Sequence, residues 1–206
     1  MKKILCIGDS ITKGFPFSMD ASWPYILGKN NEYKTVNVGE PGQGTLAILR
    51  KVNGLNFEAL KFGQVESKER VEENACPEKI AIITAGSNDF LFGLNNVEGA
   101  VANILKMAER CKDKGFRPVI GVPILCHPED AQEKFMPGLD YARANENLIL
   151  LGKQLRQLTK THQLAHLDLQ TWYKEFDQYI DGLHPTREGY EFIAEKIKEF
   201  FDNEGR

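Results

Sequence analysis

Five short apolar runs, most of them rich in β-branched residues, recur along the chain and are separated by stretches of helical periodicity. They span Lys3 to Ile7, Lys34 to Val38, Lys79 to Ala85, Arg117 to Val122, and Leu164 to Asp168. Strands buried on both faces read as continuous apolar runs, and parallel strands need long crossovers between them. The alternation therefore predicts an α/β protein with a parallel sheet covered by helices on both faces.

The segments between the runs carry the periodicity of amphipathic helices. One helix is predicted from Val97 to Cys111, with Gly115 placed to end it, and another covers Leu148 to Leu158. A last helix follows Pro185, and we expect it to pack the C-terminus onto the sheet. Its apolar stripe consists of Tyr190, Ile193, Ile197 and Phe200.

Length and charge limit the function classes. The 206 residues fit a single domain, 1-206, that can bury most of the apolar surface of its sheet. The net charge of −3 offers no basic surface of the kind a nucleic-acid-binding protein needs, so we expect a small-molecule partner. No stretch approaches the roughly 18 apolar residues of a membrane span.

The N-terminus and the cysteines indicate a compartment. Gly8 and Asp9 end the first apolar run too early for an export signal, so we interpret the run as a strand. The cysteines are widely spaced and form neither a CxxC pair nor a metal-binding pattern. We therefore expect reduced thiols, a cytoplasmic protein and no cofactor. The cysteines are Cys6, Cys76, Cys111 and Cys126.

Two segments depart from the simple alternation. Gln64 to Asn74 is polar and charged, which predicts a solvated helix or loop. Pro123 to Leu139 contains three prolines and follows the fourth run directly. Because the crevice of an open parallel sheet lies beyond the carboxyl ends of its strands, we expect this second segment to form a lid or a pocket wall.

Polar or glycine-rich turns follow four of the predicted strands, and all should open onto the same edge of the sheet. They contribute a hydroxyl, a backbone that a ligand can approach closely, a carboxamide, and an acid followed by an imidazole. The turns are Ser10 after the first strand, Gly39 to Thr45 after the second, Gly86 to Asp89 after the third, and Asp181 to Pro185 beyond the fifth.

These side chains are the components of an acyl-transfer site. A serine hydroxyl is a weak nucleophile near neutral pH, and His184 is the best candidate for the base that activates Ser10. Asp181, three residues earlier, can hold the imidazole in one tautomer. Attack on a carbonyl creates an oxyanion, and the natural donors are the amides of Ser10 and Gly42 and the side chain of Asn88.

Each of these residues is also an ordinary turn or capping residue when taken singly. Their joint placement after successive strands favours catalysis. The competing hypothesis is a non-catalytic flavodoxin-like module in which Gly8 to Thr12 binds an anion at a helix start. That module needs no pair of Asp181 and His184.

With these turns in their observed order, the chain resembles the GDSL-type, or SGNH, hydrolases. The resemblance implies a flavodoxin-like three-layer α/β/α fold with five parallel strands in the order 2-1-3-4-5. It also implies esterase, lipase, thioesterase or related acyl-transfer activity without a metal. The matching blocks are Gly8-Asp9-Ser10-Ile11-Thr12, Asn37-Val38-Gly39-Glu40-Pro41-Gly42, Gly86-Ser87-Asn88-Asp89 and Asp181-Gly182-Leu183-His184-Pro185.

The resemblance assigns the nucleophile to Ser10, the oxyanion donors to Gly42 and Asn88, and the acid and base to Asp181 and His184. In the second block, many relatives read Gly-Asp-Thr where this chain reads Gly42-Gln43-Gly44-Thr45. Gly44 therefore competes for the donor role, and the distance from Asn37 favours Gly42.

The sequence thus predicts a serine esterase that cleaves small carboxylic esters through an acyl-enzyme intermediate. Carbohydrate deacetylation, lysophospholipid or thioester cleavage, and transfer to another acceptor stay open at the same site. Of the other histidines, His166 is predicted to be a core residue, His162 to end a helix, and His127 to lie in the pocket segment without a catalytic role. Trp23 is expected to anchor the first helix.

Overall fold

The five predicted strands form one parallel sheet in the order β2-β1-β3-β4-β5. The structure is a computed structural model and describes residues 1–63 and 77–204. The polar segment Gln64 to Asn74 lies outside the described residues. The strands are β1 (Lys2–Gly8), β2 (Tyr33–Asn37), β3 (Glu78–Thr84), β4 (Arg117–Gly121) and β5 (Ala165–Leu167).

The strand boundaries agree with the predicted runs to within about one residue at each end. Pairing continues past two of the strands, because Val38 N–H donates to the Cys6 carbonyl and Val122 N–H to the Leu167 carbonyl, each at 2.9 Å. Asp168 was predicted to belong to β5 but leaves it, since its carboxylate accepts from Thr171 N–H at 3.3 Å. The residue therefore begins a helix instead of extending the strand.

Helices cover both faces of the sheet, which confirms the three-layer α/β/α, flavodoxin-like fold. They are α1 (Ser10–Lys13), α2 (Trp23–Gly28), α3 (Thr45–Asn53), α4 (Ser87–Leu91), α5 (Val97–Asp113), α6 (Pro128–Lys134), α7 (Tyr141–His162), α8 (Leu169–Phe176) and α9 (Arg187–Glu204).

Alternate side chains of each strand enter two separate cores. In β1, Leu5 and Ile7 pack with α3, α5 and α7, whereas Ile4 and Cys6 pack with α2, α8 and α9. Gly115 follows the end of α5 with a positive φ of 77°, as the predicted helix stop requires.

The C-terminal helix α9 packs onto the sheet as predicted, with one difference in its apolar stripe. Tyr190, Ile193 and Ile197 are buried, but the next fully buried position is Phe201, at 1% exposure. Phe200 is only half-buried against the same core. Helical spacing from Ile197 allows either residue, and the packing around Tyr33 selects Phe201, whose ring centroid lies 6.1 Å from that of Tyr33.

Candidate active site

Ser10 lies where β1 ends and is the first residue of the short helix α1. Asp9 caps this helix, because its carboxylate accepts from Ile11 N–H at 3.0 Å. A helix has no internal acceptor for the N–H of its first residue, so the Ser10 amide points outward together with its hydroxyl. The turn therefore presents two polar groups of one residue above the sheet edge.

The structure brings Ser10, His184 and Asp181 together across 174 residues of sequence. His184 Nε2 lies 3.0 Å from Ser10 Oγ, and its Nδ1 lies 2.8 Å from Asp181 Oδ2. The other Asp181 oxygen accepts the backbone N–H groups of Leu183, at 3.0 Å, and of His184, at 2.8 Å. This series of hydrogen bonds holds the imidazole in the tautomer that can accept the serine proton.

Hydrogen bonding keeps Asp181 ionised beside the imidazole. Partial burial raises the pKa of its carboxyl, but the hydrogen bonds from the side chain and backbone of His184 outweigh burial, and the net pKa lies below its ordinary value. The imidazole of His184 is itself 2% exposed. A charge that develops on this ring therefore has an ionised partner in a site with little water.

Aromatic side chains enclose the imidazole of His184. The rings of Phe15 and Phe135 meet it edge to face, with centroids 4.7 and 5.3 Å away. Phe135 belongs to the segment Pro123 to Leu139, which contains α6 and bonds to the histidine turn through His127 N–H and the Gly182 carbonyl at 2.7 Å. The segment that the sequence assigned to a pocket wall thus lies beside the candidate site.

Asn88, which follows β3, and the loop after β2 are joined by a hydrogen bond. Asn88 is buried, and its side-chain Nδ2 donates one hydrogen to the Gln43 carbonyl at 3.0 Å. An amide group carries two such hydrogens, so one remains for another acceptor. Gly42 is exposed with a φ of 75°, and a Cβ added there would meet nothing within 4 Å.

The peptide between Gln43 and Gly44 distinguishes the two glycines. In a trans peptide the C=O and the N–H point in opposite directions. Because the Gln43 carbonyl points at Asn88, the N–H of Gly44 points away from the Asn88 amide. An oxygen atom that accepts from the Asn88 amide is then poorly aligned to accept from the Gly44 N–H as well, whereas this orientation does not constrain the Gly42 N–H. Gly44 is moreover buried against Asp89 and Leu94.

A buried polar network that was not predicted from the sequence lies next to this loop. Asp89 accepts Thr45 N–H at 2.7 Å with one oxygen and the Thr45 hydroxyl at 2.6 Å with the other. Asn103 on α5 donates to the Thr45 hydroxyl oxygen at 3.0 Å. The sequence feature that could have revealed the network is Asn103, a polar residue among the apolar positions of the helix predicted from Val97 to Cys111.

The remaining histidines lie outside this arrangement. His127 is half-exposed, and its ring stacks on Tyr179 with centroids 5.7 Å apart. His162 ends α7. His166 was expected in the core but is only half-buried, with Nδ1 3.2 Å from the Thr159 hydroxyl. Trp23 is completely buried at the start of α2, which agrees with the anchoring role predicted for it.

Within residues 1–63 and 77–204, no group of three His, Cys, Asp or Glu side chains is arranged to hold a metal ion. In the same ranges, no helix combines the length and the apolar character needed to span a membrane.

The fold and the placement of these turns define an α/β/α protein of the kind found among lipolytic hydrolases. The sequence profile of the GDSL-like Lipase/Acylhydrolase family matches residues 6–192, and the chain belongs to that family. No protein with curated annotation matches the chain significantly.

Solved structures with the same fold include a lipolytic protein of the G-D-S-L family from Veillonella parvula, with 20% identity, a TM-score of 0.74 and coverage of 98% of this chain and 99% of that one. The lipase/acylhydrolase from Enterococcus faecalis has 21% identity and a TM-score of 0.72, over 99% and 97% of the two chains. An aryl esterase from M. smegmatis has 14% identity and a TM-score of 0.74, over 98% and 99%. At these identities the likeness shows the fold.

Proposed function

We propose that this protein is a serine esterase that cleaves small carboxylic esters through a Ser10, His184 and Asp181 triad. The observation that carries the proposal is the continuous chain of contacts from Ser10 Oγ to His184 Nε2, at 3.0 Å, and from His184 Nδ1 to Asp181 Oδ2, at 2.8 Å. A module that only binds an anion has no need for this series of contacts between Ser10, His184 and Asp181. Membership of the lipase/acylhydrolase family supports the same class of reaction.

In the first step, the Ser10 oxygen bonds to the ester carbonyl carbon while its proton moves to His184 Nε2. The carbonyl oxygen becomes an oxyanion, and we propose that the amides of Ser10 and Gly42 and the second hydrogen of Asn88 Nδ2 stabilise it. The orientation of the Gln43 carbonyl supports Gly42 over Gly44 as the backbone donor from this loop.

The intermediate then collapses, and His184 returns the proton to the departing alkoxide, so that an alcohol leaves and an acyl-Ser10 ester remains. A water molecule repeats the sequence: His184 takes its proton, the hydroxide oxygen bonds to the acyl carbon, and Ser10 departs with the proton from His184. The free acid is released, and the triad regains its starting protonation state. No group outside this chain is needed for proton balance.

The test compares wild type with Ser10→Ala on p-nitrophenyl acetate. We expect turnover to fall by about 10⁴-fold or more, because the remaining groups can stabilise an oxyanion but cannot form the acyl-enzyme. Circular dichroism establishes that both proteins are folded. Equal turnover by a folded Ser10→Ala protein would rule out the mechanism, and stoichiometric labelling of Ser10 by an organophosphonate would support it independently.

Small esters are the proposed substrates, and the aromatic rings of Phe15 and Phe135 give the site an apolar border beside the imidazole. Lysophospholipids, acyl thioesters, acetylated carbohydrates and acyl transfer to an alcohol use the same chemistry. A comparison of p-nitrophenyl esters of increasing chain length with acyl-CoA substrates separates these classes. A rise of kcat/KM with chain length would contradict the preference for short acyl groups.

We also infer that residues 1–206 form one hydrolase domain that acts on a small molecule without a nucleic-acid partner. The net charge of −3 supports the second point. A cytoplasmic location stays a prediction from the cysteines, of which Cys6, Cys111 and Cys126 are buried free thiols.

A further inference from the structure

We propose that the buried network of Asp89, Thr45 and Asn103 is a positioning device that fixes the spacing between the two loops of the oxyanion hole. The inference rests on the proposed function, because it concerns how the donors on those loops are held. None of the three residues touches the reacting atoms in our mechanism. They are therefore positioning residues, and they act through Gly42 and Asn88.

The network joins the loops by neighbouring residues on each side. Asn88 holds the Gln43 carbonyl at 3.0 Å, and the next residue, Asp89, holds the backbone N–H of Thr45 at 2.7 Å. The loop after β2 is thus fastened immediately before and immediately after Gly44. The proposed donor Asn88 itself makes one of these two hydrogen bonds. The distance between its side-chain amide and the loop after β2 therefore cannot change unless one of the bonds breaks.

The hydrogen bonds run in one direction through the network. Asn103 donates to the Thr45 hydroxyl oxygen at 3.0 Å, and the Thr45 hydroxyl donates to Asp89 at 2.6 Å. A carboxylate can only accept, and the Asn103 Nδ2 can only donate, so the order of donors is unambiguous once Asp89 is ionised. Thr45 is the central member, since it alone contacts both of the others.

Burial of these polar groups costs desolvation free energy, which the hydrogen bonds of the network must offset. Thr45 is completely buried and Asp89 is 1% exposed. Desolvation raises the pKa of Asp89, and the bonds from Thr45 act in the opposite direction. Apolar packing of the same volume would hold the loops at lower cost, but it is not directional. A hole that must bind an oxyanion without reorganising needs directional contacts.

The decisive variant is Thr45→Val, which keeps the shape and the backbone N–H but removes the hydroxyl. We expect kcat/KM for p-nitrophenyl acetate to fall by about tenfold to a hundredfold. This loss is smaller than the effect of removing an oxyanion-hole donor altogether, because the donors are displaced and not deleted. Rates are expressed per active site, counted by titration with an organophosphonate, so that unfolded molecules do not contribute. Thr45→Ser keeps the hydroxyl and should restore most of the rate.

Thr159→Val is the matched control. Thr159 is also completely buried, and its hydroxyl also has two partners, the Arg156 carbonyl at 3.0 Å and His166 Nδ1 at 3.2 Å. It lies on α7 among residues that the mechanism does not use. We expect Thr159→Val to lower the melting temperature, by less than Thr45→Val because it leaves no buried carboxylate without its hydroxyl donor, and to leave the rate per active site unchanged.

Coupling to Asn88 tests whether Thr45 acts through the oxyanion hole. In an Asn88→Ala background the spacing of the loops matters less, so Thr45→Val should add little to the loss already present. Asp89→Asn, which can accept only one of the two Thr45 bonds, provides a second variant if Thr45→Val does not fold.

The proposal is overturned if Thr45→Val and Asp89→Asn keep the wild-type rate per active site, if Thr159→Val loses as much rate, or if the losses of Thr45→Val and Asn88→Ala are fully additive. If wild-type activity still depends on Ser10, the proposed function stands in each of these cases and only the positioning role fails. Activity that survives Ser10→Ala would instead remove the function and the inference together.

Discussion

Asp9 is the residue next to the proposed nucleophile, and its carboxyl is 2% exposed. Burial raises its pKa from 3.8 to about 6, although the bond from Ile11 N–H and the nearby His184 act in the opposite direction. The side chain caps α1 and so helps to hold Ser10 at the turn. The chain therefore keeps an acid here whose ionisation disfavours the folded state.

We predict that Asp9→Asn stabilises the protein at neutral pH. The folded-state pKa is higher than the unfolded one, so ionisation of Asp9 lowers stability as pH rises from about 4 to about 6, and the full penalty applies above that range. Asparagine can still accept from Ile11 and carries no charge. The gain at pH 8 should be about 3 kcal/mol and vanish below pH 4.

Urea unfolding of wild type and Asp9→Asn at several pH values measures this gain. A stability difference that stays constant between about pH 4 and pH 8 would contradict the raised pKa of Asp9.

At the scale of elements, α6 packs directly on the turn that carries Asp181 and His184. Gly182 lies between them with a φ of 79°, and a Cβ added there would stand 2.3 Å from the backbone nitrogen of Ala131. The turn and the helix thus touch backbone to backbone. The positions of the acid and the base depend on a contact that only glycine permits.

We predict that Gly182→Ala impairs both stability and catalysis. The left-handed φ alone costs about 1–2 kcal/mol, and displacement of α6 should add about 1–3 kcal/mol. The shift should also move His184 relative to Ser10 and lower kcat. Urea unfolding and p-nitrophenyl acetate turnover measure the two effects.

Gly138→Ala supplies the comparison for that experiment. Gly138 has a φ of 91°, and a Cβ added there meets nothing within 4 Å. Its alanine variant should show the cost of the backbone conformation alone, with normal kcat. Equal behaviour of the two variants would mean that the contact between α6 and the turn does not position the site.

At the scale of the whole molecule, the parallel sheet gathers the functional turns. Parallel strands end at one edge, so the turns after β1, β2 and β3 lie together there although they are far apart in sequence. The turn with Asp181 and His184 follows α8 and reaches the same edge through the contact of His184 with Ser10. Two cores hold the helices against the two faces. The C-terminal helix α9 directly follows the turn with His184, so its docking also supports that turn.

We predict that Phe201→Ala destabilises the protein by about 3–5 kcal/mol, as large-to-small changes in a closed core do. Phe200→Ala should cost less than about 2 kcal/mol, because that side chain is already partly exposed. Thermal unfolding of the two variants compares adjacent residues of identical type. A larger loss for Phe200→Ala would contradict the observed orientation of α9.

Much of the architecture was readable from local patterns. The apolar runs predicted all five strands, and the helical periodicities predicted α5, α7 and α9, because burial on two faces or on one stripe leaves a direct mark on composition. The turns at Ser10, Asn88 and His184 were recognisable as well, because few other side chains can supply the chemistry of acyl transfer, and their roles stay a prediction. Chain order along a parallel sheet was enough to expect these turns at one edge.

Contacts between distant segments were decided only by the tertiary structure. Helical spacing did not distinguish Phe200 from Phe201, and distance along the chain could only favour Gly42 over Gly44. The hydrogen bond from Asn88 to Gln43 orients the peptide before Gly44, which supports the proposal of Gly42 as the donor, and the contact between Asp89 and Thr45 joins residues 44 positions apart. Such contacts depend on directions of atoms in three dimensions, whereas periodicity and composition report only whether a residue faces a core.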